Sequence, residues 1–84
     1  MVFKLIPLSS LRDGERAQIT AVTGGRTVNL RMNELGFTTG SKFKVIRNVG
    51  GGPIMIELKA GKIALGRGIA TKIMCKRLIA EKIL

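Results

Sequence analysis

Glycine divides this chain into short pieces. Eleven glycines are spread through 84 residues, and most of the runs between them are of strand length. A helical bundle, the other way to fold a chain of this size, would need several segments of about ten residues or more with a helical period. Only residues 26–35 clearly have one. The glycine spacing therefore favours a small, strongly bent β-sheet with tight corners.

The runs between the glycines alternate apolar and polar residues, as strands with one solvated face do. The predicted strands are residues 15–22, 41–48, 53–59 and 72–78, and Ile63 with Leu65 continues the pattern after the third. In the first strand Ala17, Ile19 and Ala21 are expected to face the core. A two-residue hairpin loop is predicted at Ala60 and Gly61.

One amphipathic helix is predicted after the first of these strands. Val28, Met32 and Leu35 are spaced four and three residues apart, which places them on one stripe. Gly36 is predicted to end the helix in the left-handed conformation, with Phe37 packing against Met32 as in a Schellman cap. The stretch from the helix to the next strand is thus explained mainly by capping and core packing.

These elements predict a mainly β fold for a single domain over residues 1–84. The predicted architecture is a small SH3-like, partly open barrel of about five antiparallel strands with one inserted short α-helix. An OB-like barrel fits the same pattern. Single helical turns are predicted within residues 7–14 and 66–72. No signal peptide or membrane anchor is expected, because no run approaches the roughly 20 apolar residues of a spanning helix.

The composition argues against several classes of enzyme. The chain has no histidine, one cysteine (Cys75) and five carboxylates, which cannot supply a zinc site of cysteine and histidine or an imidazole base. The formal net charge of +10 predicts attraction to anionic partners, although plain solubility explains it too. Nucleic acid, an anionic membrane surface and an acidic protein patch all fit. A single cysteine makes a reducing cytosol the expected compartment.

The order of these features carries a resemblance. The stretches LRMNELGFTTGSKFKVI and PIMIELKAGKIALGRGIATKIMC resemble the ferrous iron transport protein A (FeoA) family over roughly residues 8–76. The resemblance implies an SH3-like barrel, a cytosolic location and an accessory role beside FeoB, a membrane transporter for ferrous iron with a cytosolic GTP-binding domain. The family also resembles a C-terminal domain of some metal-dependent repressors. Two departures are Thr39, where the family often has proline, and the loose segment Gly66 to Gly68.

A partner-binding surface is predicted on the polar side of the helix and the strand that follows it. The candidate residues are Arg26, Asn29, Arg31, Asn33, Glu34, Lys42 and Lys44, with Arg67 as a further candidate. A polar rim around a small apolar edge is typical of docking faces. Arg26, Arg31 or Arg67 could donate an arginine finger to a GTP-binding partner.

Other candidate sites have simpler explanations. The run GGGP at residues 50–53 precedes a strand rather than a helix, so it predicts a hairpin loop and not a phosphate-binding loop. Cys75 is predicted to be a buried hydrophobe rather than a metal ligand or redox thiol. The sequence predicts no cofactor and no metal ligand set, so the protein is not expected to carry the iron itself.

The remaining alternatives concern partners. Residues 78–84 are predicted to be the packed end of the last strand, or else part of a basic amphipathic helix over 69–84 that suits a membrane surface or a protein groove. The leading function is an adaptor that docks on FeoB, with a homo-oligomer possible and membrane contact only through the transporter or weak charge attraction. The alternative is a basic nucleic-acid-binding barrel, against which stands the absence of Trp and Tyr for base stacking.

Overall fold

The computed structural model describes residues 4–78, which contain six strands and three short helical segments. The strands are β1 (Ile6–Pro7), β2 (Arg16–Val22), β3 (Lys42–Arg47), β4 (Ile54–Leu58), β5 (Gly61–Leu65) and β6 (Ile73–Leu78). The helices are α1 (Gly25–Glu34) and α2 (Arg67–Ala70), and a 3-10 turn covers Leu8–Ser10. The prediction of a mainly β fold is confirmed. The strand that it missed, β1, has two residues and therefore no alternation to detect.

All six strands form one antiparallel sheet in the order β1-β6-β2-β3-β4-β5. The strands at the two ends of this order, β1 and β5, each pair with one neighbour. The sheet is thus an open SH3-like barrel rather than a closed one, as predicted.

A single apolar core fills the inside of the sheet. Phe37, at the end of α1, and Phe43, on β3, meet edge to face with ring centroids 5.2 Å apart, a favourable geometry for an aromatic pair. The buried residues are Ile6, Leu8, Leu11, Ala17, Ile19, Met32, Phe37, Phe43, Val45, Ile54, Ile56, Leu65, Ala70, Ile73 and Cys75. The alternation predicted for β3, β4, β5 and β6 is therefore confirmed, with Leu58 and Ile63 partly buried against this core. The inward residues of these strands are Phe43, Val45, Ile54, Ile56, Leu58, Ile63, Leu65, Ile73 and Cys75.

The cap predicted at the end of α1 is confirmed in its geometry. Gly36 has φ +76°, and its amide donates to the carbonyl of Asn33 at 3.0 Å. The Phe37 amide donates to the carbonyl of Met32 at 2.8 Å, and both side chains are buried. The two hydrogen bonds are those of a Schellman cap, and the two apolar side chains belong to the same core cluster.

The inward row of β2 ends earlier than predicted. Ala17 and Ile19 are buried, but Ala21 is exposed. The pairing of β2 with β6 shifts register between Ile19 and Ala21, as at a β-bulge, which inserts one residue and reverses the alternation beyond it. Val22 instead packs against the core.

One further prediction was wrong in detail, and one alternative is excluded in favour of the predicted last strand. Leu58 pairs with Gly61, so the two-residue loop between β4 and β5 is Lys59 and Ala60 rather than Ala60 and Gly61. A helix over residues 69–84 does not form, because β6 occupies Ile73–Leu78. Residues 79–84, the rest of the predicted tail, lie outside the described residues.

Replacing Gly36 with valine is expected to lower the free energy of unfolding by about 1–2 kcal/mol, or roughly 5–15 °C in Tm for a domain of this size. A Cβ at Gly36 would meet no atom within 4 Å, so the loss comes from strain at positive φ. Gly51→Val is the matched control, since Gly51 lies in equally open space without a positive φ. Equal Tm values for the two variants would contradict this account.

Candidate docking surface

The predicted helix residues all lie on the solvent side of α1. Arg26, Asn29, Arg31, Asn33 and Glu34 are exposed, while the stripe that faces the core is buried or packed against it. The Asn29 side-chain amide donates to the Gly25 carbonyl at 2.8 Å within the first turn. The structure therefore presents these residues together on one helix.

An exposed leucine stands at the centre of this helix face. Leu30 is 55% exposed, and its neighbours at helical spacing are Arg26, Asn33 and Glu34. Sequence reasoning missed Leu30 as a candidate, although the stripe assigned to the core had left it on the opposite side. An apolar centre with a polar rim is the composition of a small docking face.

The two predicted lysines of β3 have a basic neighbour on β2. Lys44 pairs with Arg16 across the two strands, and Lys42 pairs with Gln18. Paired positions of neighbouring strands project to the same side of a sheet. Arg16 thus joins the predicted lysines. The sequence had placed Arg16 on the solvent side of its strand, but nothing in the sequence showed which strand would lie beside it.

Two clefts adjoin at Lys42 and Leu58. One, of about 250 Å³, lies among Arg16, Lys42, Lys44 and Leu58, and reaches Leu78 on β6. The other, of about 380 Å³, shares Lys42 and Leu58 and extends to the β4–β5 loop and the end of α1. Its other lining residues are Gly36, Gly40, Ser41, Lys59 and Ala60. The turn that follows α1 therefore both caps the helix and lines the second cleft.

The turn that holds Lys42 in place is closed by side chains. The Ser41 amide donates to the Thr38 carbonyl at 2.9 Å, and the Thr38 amide donates back to Ser41 Oγ at 3.1 Å. The Gly40 amide donates to the Ile19 carbonyl at 2.8 Å, which ties the turn to β2. Thr39 needs no proline ring at its position, because these bonds fix the turn.

Arg67 lies apart from the other predicted residues. Its Nη2 donates to Asn48 Oδ1 at 2.7 Å, beyond the end of β3 opposite to Lys42. Asn48 in turn donates from its side chain to the carbonyls of Ser9 and Leu11. Arg67 is half-buried and belongs to a polar cluster that ties the β3–β4 loop to the 3-10 turn.

Cys75 lies in the core of the barrel, as predicted. Its exposed fraction is 0%, and its Sγ lies 3.4 Å from the Ile6 carbonyl oxygen. Burial raises the pKa of the thiol to about 11, which keeps it protonated near neutral pH. Within residues 4–78 no group of three or more Cys, Asp or Glu side chains is placed to hold a metal ion.

One ion pair ties the start of β2 to the end of β6. Arg77 Nε donates to Glu15 Oε2 at 2.7 Å, and the Arg12 amide donates to Glu15 Oε1 at 2.7 Å. The Arg12 bond lowers the pKa of the Glu15 carboxyl, partial desolvation opposes it, and Arg77 lowers the pKa further. Arg16, which lies beside Lys44 of β3, is the residue directly after Glu15 in the chain.

The fold and this surface define a class, the small basic SH3-like domains. A family model described as the FeoA domain matches residues 6–77, and the chain belongs to that family. A curated relative from Methanocaldococcus jannaschii, named provisionally as Fe(2+) transport protein A, is 40% identical over 70 residues, or 83% of this chain and 84% of the relative.

No helix in the described part of the chain is long and apolar enough to span a membrane.

Solved structures share the fold. A crystal structure titled as an iron uptake regulatory protein (FeoA) superposes with a TM-score of 0.84 at 27% identity, covering 89% of this chain and all of the other. A manganese-dependent transcriptional repressor superposes with a TM-score of 0.81 at 20% identity over 93% of this chain and 44% of its own. The second likeness concerns the fold alone.

Replacing Glu15 with glutamine is expected to lower stability at neutral pH by less than about 1 kcal/mol, because both members of the pair are partly exposed. The folded-state pKa of Glu15 is lowered, so its contribution is complete above the usual glutamate pKa of about 4.3 and is lost as pH falls through the folded value. Urea denaturation should show a constant difference from wild type above about pH 5 and a difference that shrinks as pH falls below about 4.3. Glu34→Gln on α1 is the control, and a pH-independent difference for Glu15→Gln would contradict the assignment.

Cys75 is expected to react with a thiol reagent at pH 8 at least about a hundredfold more slowly than an exposed thiol, if its exposure requires an opening of about 3 kcal/mol or more. The Ser10→Cys variant supplies the comparison, since Ser10 is exposed on the 3-10 turn. One fast and one slow thiol are expected in that variant, and both fast in denaturant. Two fast thiols in the native protein would show that Cys75 is accessible.

Proposed function

We propose that this chain is an accessory protein of ferrous iron uptake that docks on the cytosolic part of the FeoB transporter. There it would support the assembly of the transporter or its GTP-driven cycle. Family membership and the Fe(2+) transport name of the M. jannaschii relative support the connection with iron. The proposed location is the cytosol, where the GTP-binding domain of such a transporter lies.

The observation that carries the docking proposal is the exposed leucine on α1. Leu30 projects from a helix whose opposite face is anchored in the core by Met32. A docking protein gains affinity from apolar side chains held on a rigid element, because little conformational entropy is lost on binding. Arg26 and Glu34 beside Leu30 supply charges of both signs, which fix the orientation of a partner more than they add affinity.

Nucleic acid is the second candidate partner. The charge of +10 favours it. Against it, Phe37 and Phe43 pack on each other inside the core, so neither offers a face on which a base could stack. Binding by charge alone should weaken steeply between low and physiological salt.

Replacing Leu30 with glutamate is expected to weaken binding to full-length FeoB about tenfold or more, because an unpaired carboxylate would be buried at the centre of the interface. The measurement is equilibrium binding of the purified protein to the detergent-solubilised transporter at physiological ionic strength. Leu5→Glu is the matched control: Leu5 is 47% exposed, and the substitution changes the net charge equally.

A parallel titration with generic duplex and single-stranded DNA separates the two candidates. Binding to FeoB at physiological salt, lost in Leu30→Glu and kept in Leu5→Glu, supports the proposal. A DNA complex that survives this salt concentration, together with no binding to FeoB, would favour nucleic-acid binding as the function. Equal binding by both leucine variants would remove the α1 face from the interface.

A further inference from the structure

A groove crosses four strands of the sheet where the two clefts adjoin. It is called the sheet groove here, and its lining includes Arg16, Lys42, Lys44, Leu58, Lys59 and Leu78. The groove runs from β6 across β2 and β3 to the end of β4. At about 4.8 Å between neighbouring strands its width across the sheet is about 14 Å, the length of roughly four residues of extended chain.

The charge of the sheet groove is strongly one-sided. Four cations line it, Arg16, Lys42, Lys44 and Lys59, against the single carboxylate of Glu57. Within residues 4–78 none of these four side chains forms a hydrogen bond or ion pair with another residue. A concave surface with one sign of charge concentrates ligands of the opposite sign.

The floor of the groove is apolar. Leu58 is half-buried and packs against the core, and Leu78 is half-buried at the other end. Part of Phe43 lines the same cleft. A ligand that fits must therefore combine negative charge with at least one apolar group, which a simple anion does not.

Among macromolecules an extended polypeptide fits this shape and chemistry best. A planar lipid surface would touch the rim of a recessed cleft but leave Leu58 uncovered. A nucleic acid would match the charge, but its bases would find no exposed aromatic face among residues 4–78. An acidic peptide can place carboxylates at the lysines and an apolar side chain on Leu58.

We propose that the sheet groove binds an acidic, extended segment of a partner protein, with carboxylates held by Lys42, Lys44 and Arg16 and an apolar side chain on Leu58. The inference rests on the proposed function, for which it names the chemistry of the segment that the partner contributes. It concerns a surface separate from Leu30, so each can be tested without the other.

The test measures binding of fluorescein-labelled short peptides to the full chain by anisotropy at physiological salt. A peptide of alternating glutamate and leucine is expected to bind more tightly than a glutamine–leucine peptide, which lacks charge, and than a glutamate–serine peptide, which lacks apolar groups. The double variant Lys42→Glu, Lys44→Glu is expected to bind the first peptide about tenfold more weakly, since two ion pairs become repulsions.

The matched control is the double variant Lys4→Glu, Lys72→Glu. It changes the net charge by the same amount at two exposed lysines outside the groove and is expected to bind within about twofold of wild type. Chemical shifts of the wild-type amides give a readout that needs no variant. Peptide addition should perturb Gly40, Lys42 and Leu58 more than the α1 face around Leu30.

Three results would overturn the inference. The first is an equal loss of peptide binding in both double variants, and the second is a set of chemical-shift changes confined to residues outside the groove. The third is binding of an oligonucleotide or an anionic vesicle under conditions in which the glutamate–leucine peptide does not bind. If the peptide fails to bind but wild type still binds FeoB, the sheet groove is excluded and the proposed function stands. If the peptide binds and FeoB does not, the groove remains and the transporter is not its partner.

Discussion

The left-handed backbone of Gly36 is the constraint on which the arrangement of this domain depends. It ends α1 and turns Phe37 into the core, where the ring meets Phe43 edge to face. Phe43 is the inward residue between Lys42 and Lys44, so fixing its position also directs both lysines to the solvent side of β3. A residue with a Cβ would be strained at this positive φ value, although the added atom would meet no other atom within 4 Å.

The division between core and surface explains how so basic a chain can fold. Between residues 4 and 78 no polar or charged residue belongs to the buried core, so the core itself contains no charged side chain that burial would destabilise. Side-chain hydrogen bonds outside the core connect the loops to the rest of the fold. The Asn48 side chain, for example, links the loop after β3 to the 3-10 turn.

Charge and shape contribute different things to the proposed docking. A net charge of +10 attracts many anionic surfaces and does so less at high salt. Selection among such surfaces requires features with fixed geometry. Two that the described residues offer are Leu30, on a helix anchored through Met32, and the sheet groove, which Leu58 lines. Both are built on regular elements, which keeps them in place before a partner arrives.

The sequence by itself determined the local structure: the Schellman cap at Gly36, the alternation that buries Phe43 and exposes its neighbours, and the membership of Cys75 in the core. These follow from residues close together in the chain, whose spacing directly sets their conformation. Tertiary structure alone decided what lies side by side. The bulge that exposes Ala21, the loop at Lys59 and the neighbouring positions of Arg16 and Lys44 all depend on strand register, which arises from pairing between distant residues and leaves no trace in either strand's own pattern.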